Sequence, residues 1–210
     1  MASHLTNFEI YDLLNRPRPL WLVKLNLSEI TLWSADLSES NLSHVDFTRA
    51  DLSWSNFTGS NLFKVLLNYA NCYECYFSKA NLAEASMTRI NLSRAVLDKA
   101  VLTQANLVEA NLTRAVCSRG VFNKANLHAA NLARADLNKA DLIGANLNTA
   151  NLSFANLFEA NLSGADLRLA NLERADLTGA NLANANIAGA VLDGADLTDT
   201  VMPDGRKYAS

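Results

Sequence analysis

Residues 125–164 read ANLHA ANLAR ADLNK ADLIG ANLNT ANLSF ANLFE ANLSG, eight consecutive five-residue units. Each opens on Ala, passes through Asn or Asp and reaches Leu at its third place. With that Leu taken as position 0, the frame extends unbroken from Leu25 to Asp204 and holds 36 pentads. All 36 central residues are apolar, 27 of them Leu; Ala fills position −2 in 25, and Asn or Asp fills position −1 in 26. Regularity of that order marks a stack of short repeats rather than a conventional globular core.

A period of five belongs to neither a helix, which needs about 3.6, nor a straight strand, which needs 2. In extended chain, residues two apart share a face, so −2 and 0 point one way and −1 the other. Because five is odd, a straight continuation would turn the next Ala/Leu pair outward. The chain must therefore bend once per pentad, and four bends of about 90° close a coil of about 20 residues whose neighbours pair about 4.8 Å apart. The 36 pentads make about nine coils, a rod roughly 43 Å long at that spacing.

A step of 20 should then align unusual residues. Leu25, Val45 and Val65, three large residues at −2, fall in one column. Phe57 and Phe77 share a central column, Val96 aligns with Val116, and Val101 with Val121. Small Ala at −2 suits a crowded corner, and Leu at 0 fills the axis at about 1.5–3 kcal/mol per side chain buried. Asn or Asp at −1 is suited to bonding nearby turn backbone. Such an interior is dry and full.

This pattern resembles the pentapeptide-repeat family, whose unit is written A(D/N)LXX, over about 180 of the 210 residues. The resemblance implies an all-β fold, a right-handed quadrilateral β-helix. An open solenoid end exposes apolar side chains and strand edges and needs a cover. Residues 1–24 lie outside the repeat and are expected to form a short N-terminal α-helical cap. Thr6-Asn7-Phe8-Glu9 reads as a capping box, Ile10, Leu13 and Leu14 as an apolar stripe, and Pro17 and Pro19 as the stop. Residues 25–204 form the β-helix, and 205–210 a C-terminal tail. The Met202-Pro203-Asp204-Gly205 turn signal resembles the ends of many cyanobacterial members of the family, which implies a source group and not a mechanism; a task in cyanobacterial cell regulation is the accompanying expectation.

Totals bound the function. Net charge is −3, from 18 basic and 21 acidic residues, neither the excess of a nucleic-acid binder nor that of an acidic decoy. No run of 18 apolar residues suggests a membrane span, and no signal-peptide pattern opens the chain. Three cysteines make no disulfide framework, so a cytoplasmic location is expected. Cys72-Tyr73-Glu74-Cys75 matches C-x-x-C, but both cysteines occupy inward positions, as does Cys117. Core filling is the favoured reading, and no second ligand pair completes a zinc site. His4, His44 and His128 are dispersed. No catalytic grouping, phosphate loop or cleft emerges, so no enzyme activity and no cofactor are expected.

What remains is the outside. At +2 on the second side stand Arg94, Arg114 and Arg134, then Phe154, then Arg174. At +2 on the third side stand Lys79, Lys99, Arg119 and Lys139. Asp98, Glu159 and Glu173 interrupt or end these columns, and Trp54, Tyr73, Phe154 and Phe158 border them. Val96, Val116, Val101 and Val121 stand where Asn or Asp is usual, beside the cations. This surface is the candidate for docking an unidentified protein partner; plain solvation is the competing account. A non-catalytic scaffold or regulator, expected as a monomer with a C-terminal dimer as the other option, is the leading reading. The alternative implied by the family, a DNA mimic that protects a topoisomerase, is disfavoured by the basic columns and near-neutral charge. Direct nucleic-acid binding is the minor option.

Overall fold

The computed structural model describes residues 7–208. Its architecture follows from where each pentad's backbone N–H groups go. The central N–H donates to the −1 carbonyl one coil on (Leu127 to Asn146, 2.7 Å), and the +2 N–H to the +1 carbonyl there (Arg134 to Ser153, 2.9 Å). The −1 N–H donates back to the coil before (Asn126 to Ala105, 2.9 Å). The −2 N–H closes the turn on the preceding central carbonyl (Ala130 to Leu127, 3.0 Å). The fifth N–H, at +1, would be orphaned without the side chain at −1.

Each of the 26 Asn and Asp residues at −1 accepts that fifth bond through Oδ1, as Asn126 does from His128 (3.3 Å) and Asn131 from Ala133 (3.1 Å). The −1 preference is thus a backbone requirement and not only a surface polarity, since an unpaired buried amide costs about 1–3 kcal/mol. Some of the same amides also form ladders between coils: Asn91 donates to Asn71 (2.8 Å) and Asn146 to Asn126 (2.9 Å).

Parallel pairing runs at a constant offset of 20, from Trp21 with Asn41 to Asn181 with Val201. Each coil therefore contains four pentads, and four flat sides rise along the rod. We number them by their first centres: side one Leu27, side two Leu32, side three Leu37, side four Leu42. At the corners, the +2 residue from Lys24 through Asp199 has positive φ throughout, between 51° and 72°. That is the left-handed third position of a type II-like turn. Gly is the cheapest occupant there, yet unbranched Lys, Arg and Glu fill most corners, and Thr149 is the one β-branched exception.

Inside, centres and −2 residues between Leu37 and Leu182 are buried. Phe57 stacks on Phe77 at 4.8 Å between ring centroids, 5° from parallel, as the 20-residue step requires. Three of the five polar residues at −2 share one mode, Ser55, Cys75 and Thr200 each donating to the central carbonyl 23 residues back, on Leu32, Leu52 and Leu177, while Ser40 donates to Ser38 O and Ser60 to Phe57 O within their own turns. Among the described residues no buried side-chain nitrogen or oxygen lacks a partner.

At the first end, α1 (Asn7–Leu14) brings Ile10 and Leu13 against the core. The capping-box hydroxyl, Thr6, lies outside the described residues. At the other end the chain does not simply trail away. Gly205, with φ 81°, turns it back, so that Lys207 pairs antiparallel with Val201 and the Tyr208 N–H donates to Thr200 O at 2.8 Å.

Two predictions follow from this packing. Gly120 replaces Ala at −2, and a Cβ there would meet Phe122 Cε2 at 2.8 Å and Cys117 O at 3.0 Å. Gly120→Ala should destabilise by about 1–3 kcal/mol in chemical unfolding, and Phe122→Leu in the same chain should recover most of the loss. The Asp196 carboxyl is held below its ordinary value of 3.8 by bonds from the Thr198 N–H and hydroxyl. Because the folded value is the lower one, its contribution is present above about pH 4 and is lost as pH falls through that folded value. Asp196→Asn keeps the acceptor, so stability at neutral pH should hold while the acid limb of the pH–stability curve flattens.

Candidate interaction surface

The two cation columns stand at the two corners that bound side three. Arg94, Arg114 and Arg134 occupy the corner where side two ends; Lys79, Lys99, Arg119 and Lys139 occupy the corner where side three ends. All seven are exposed. The left-handed corner backbone directs each of these side chains off the rod, so the two columns form rails along the same flat side.

Charge on the other two sides is arranged differently. There three of the five Lys and Arg corner residues meet a carboxylate one coil away, Arg49 with Glu29 (3.6 Å), Lys64 with Glu84 (3.2 Å) and Arg89 with Glu109 (2.7 Å), while Lys24 and Lys124, on the corner that ends side four, make no ion pair among the described residues. Along side three only the ends of the rails are answered in this way. Arg94 meets Glu74 at 3.3 Å, and Lys139 meets Glu159 at 3.2 Å. Arg134 and Arg174 take opposite sides of the Phe154 ring, at 4.8 and 5.5 Å from its centroid. Arg174 also lies 3.8 Å from Glu173. Lys99 reaches Asp98 only at 3.9 Å. Among the described residues Lys79, Arg114 and Arg119 make no ion pair. Phe158 is half-buried on side three, above the cations.

Between the rails runs an apolar strip that the sequence reading only partly located. Val96 and Val116 pair in register, and one coil earlier the same column holds Tyr76. Tyr76 is 51% exposed and Val116 37%. A further step of 20 back from Val96 would have found the tyrosine. Val101 and Val121 form a second, half-buried pair round the next corner, on side four. At all five positions the residue that would brace the +1 N–H is missing. The N–H groups of Ser78, Asp98, Thr103, Ser118 and Asn123 have no acceptor in the protein among the described residues. The brace is missing singly elsewhere too, at Thr31, Leu66 and Val191, where the Trp33, Asn68 and Asp193 N–H groups have no acceptor among the described residues, whereas at Ser86 Asn68 Oδ1 serves the Thr88 N–H from the coil before, at 3.0 Å.

The interior offers little chemistry. Cys72, Cys75 and Cys117 are free thiols with no exposed surface. Burial pushes the Cys72 and Cys117 thiols well up, away from the reactive thiolate form. Among the described residues no three His, Cys, Asp or Glu side chains could hold a metal ion together. Shallow depressions beside Pro19 and Trp21 lie at the N-terminal end, away from the rails. No helix among the described residues is long and apolar enough to cross a membrane.

The pentapeptide-repeat model matches in eight copies, over residues 26–62 and, in overlapping segments, 75–202. The chain belongs to the pentapeptide-repeat family. Among solved structures it is similar to HetL, a pentapeptide repeat protein involved in heterocyst differentiation regulation from the cyanobacterium Nostoc sp. strain PCC 7120. Identity is 33%, with 98% of this chain and 100% of that one covered and a TM-score of 0.51. It is also similar in fold to QnrB1, a plasmid-mediated fluoroquinolone resistance protein, at 23% identity and TM-score 0.57, covering 82% of this chain and 89% of that one. No curated protein sequence matches the chain.

Proposed function

We propose that this pentapeptide-repeat protein is a non-catalytic scaffold or regulator that works by protein–protein contact along a side of its rod. The carrying observation is the contrast between sides. Corner cations of side one (Arg49, Arg89) and Lys64 of side four are matched by carboxylates one coil away, whereas Lys79, Arg114 and Arg119 cluster around side three with no ionic partner among the described residues; Lys24 and Lys124, unpaired as well, stand five coils apart on one other corner. A rigid solenoid holds such a row at fixed spacing, so a partner meets a preorganised surface. On this reading residues 25–204 form nine coils, preceded by one more side at residues 20–24 that the sequence boundary left in the cap, where Trp21 already pairs with Asn41 and Lys24 makes a corner; α1 covers the N-terminal end, and the protein acts in the cytosol as a monomer. The filled interior, with centres and −2 residues buried from Leu37 to Leu182, favours binding over catalysis. The likeness to HetL supports a regulatory task of the kind its description gives.

The DNA-mimic reading has less support. A likeness to QnrB1 at 23% identity concerns the fold, and a mimic of DNA needs acidic rails where this chain carries basic ones.

The test is the triple variant Arg94→Ser, Arg114→Ser, Arg134→Ser. Its circular dichroism and melting should match the parent, because corner residues carry no core contacts. Affinity capture from an extract of the source organism, read by mass spectrometry, should lose its principal protein partner. Retention of that partner at parental strength would exclude side three as the docking surface.

A further inference from the structure

Resting on that reading, we propose that side three binds an acidic amphipathic α-helix of the partner, laid along the rod with its apolar stripe on Tyr76, Val96 and Val116. The rails on either side would receive carboxylates flanking that stripe. Three observations select this occupant.

The first is what the sequence gives up. Asn or Asp at −1 braces the backbone wherever it occurs, yet Val96 and Val116 stand in successive coils of one side and leave the Asp98 and Ser118 N–H groups without a protein acceptor among the described residues. Nothing in the core calls for this, because −1 points outward. An apolar strip retained at that cost, and bounded by cations at both corners, is an amphipathic surface. It fits a ligand that is apolar in the middle and anionic at both edges. A phosphate backbone has no such middle, so nucleic acid matches the rails and not the strip.

The second is spacing. Coils rise about 4.8 Å, and a helix gains about 5.4 Å per turn. Over three coils, roughly 9.6 Å of rod meets roughly 10.8 Å of helix, a mismatch flexible Arg and Lys side chains absorb. Same-face residues of an extended peptide recur about every 6.8 Å and fall out of step within two coils.

The third is the backbone. Along the sides, coil-to-coil pairing already uses the N–H groups at −1, 0 and +2. No open strand edge runs along the rod for β-augmentation, so recognition rests on side chains, as for a helix in a groove. Side three's own acids leave the centre cationic: Asp98 lies by Lys99, and Asp136 accepts from Ser118 at 2.6 Å. The strongest contact is therefore expected around Arg114, Val116 and Arg119.

The experiment uses the full chain and a fluorescein-labelled 21-residue peptide with Leu at helical spacing, Glu on both flanks and Ala/Gln behind. Its controls are a scramble of equal composition, a version with two central prolines, and a 20-nucleotide single-stranded DNA. Anisotropy should show salt-sensitive binding of the helical peptide at least about tenfold tighter than any control. Val96→Asn with Val116→Asn restores the two backbone braces, so this variant should melt no lower than the parent while peptide affinity falls about tenfold or more. Absence of peptide binding, equal binding of the scramble, proline peptide or DNA, or unchanged affinity in the double Asn variant would each overturn the helix assignment. If the Arg-to-Ser triple still abolished capture of the natural partner, the scaffold reading would survive that failure.

Discussion

Each pentad carries five backbone N–H groups, and the fold gives only four of them a backbone acceptor. Three are used between coils and one closes the corner turn; the fifth needs a side-chain oxygen, which −1 supplies (Asn126 to His128, for example). Everything else follows from this allocation. The corner can be made by a left-handed residue that need not be Gly, because the bonds on either side hold it. The centre can be a plain Leu, because its backbone is fully engaged. The two outward columns at +1 and +2 are left free of structural duty, and there the side chains vary most.

Much of this was legible in the sequence. Inward and outward positions, the closure at 20 residues and the columns of unusual residues depend only on parity and period, and Phe57 over Phe77 or Val96 beside Val116 appear where those dictate. The buried state of Cys72, Cys75 and Cys117 was readable for the same reason. The acceptor role of −1 was legible only in outline: composition shows that Asn and Asp recur, but which donor they serve depends on the turn's geometry. The return of the chain after Gly205 was not legible, since residues 205–208 carry no repeat pattern and pair mainly through backbone, with Lys207 Nζ to Asp199 Oδ1 (3.1 Å) as the side-chain contact to the last coil.

The candidate surface divides in the same manner. Positions of Arg94, Arg114, Arg134, Lys79, Lys99, Arg119 and Lys139 were fixed by the frame. Which of them keep their charge available was not, because that depends on neighbours one coil away: Glu74 and Glu159 engage Arg94 and Lys139, while Arg114 has only arginines above and below. The flat side between the rails emerged once corners had been placed at +2. Its cost to the fold became visible once the bond made by Asn and Asp at −1 was known.

The most direct measurement is amide hydrogen exchange at residue resolution, corrected for intrinsic sequence rates. The account predicts slow exchange at −2, −1, 0 and +2 throughout the middle coils. It predicts protected +1 amides after Asn or Asp, as at Ala133 and Ser153, and fast ones after valine, at Asp98, Thr103, Ser118 and Asn123. Equal protection of the two classes of +1 amide would contradict it.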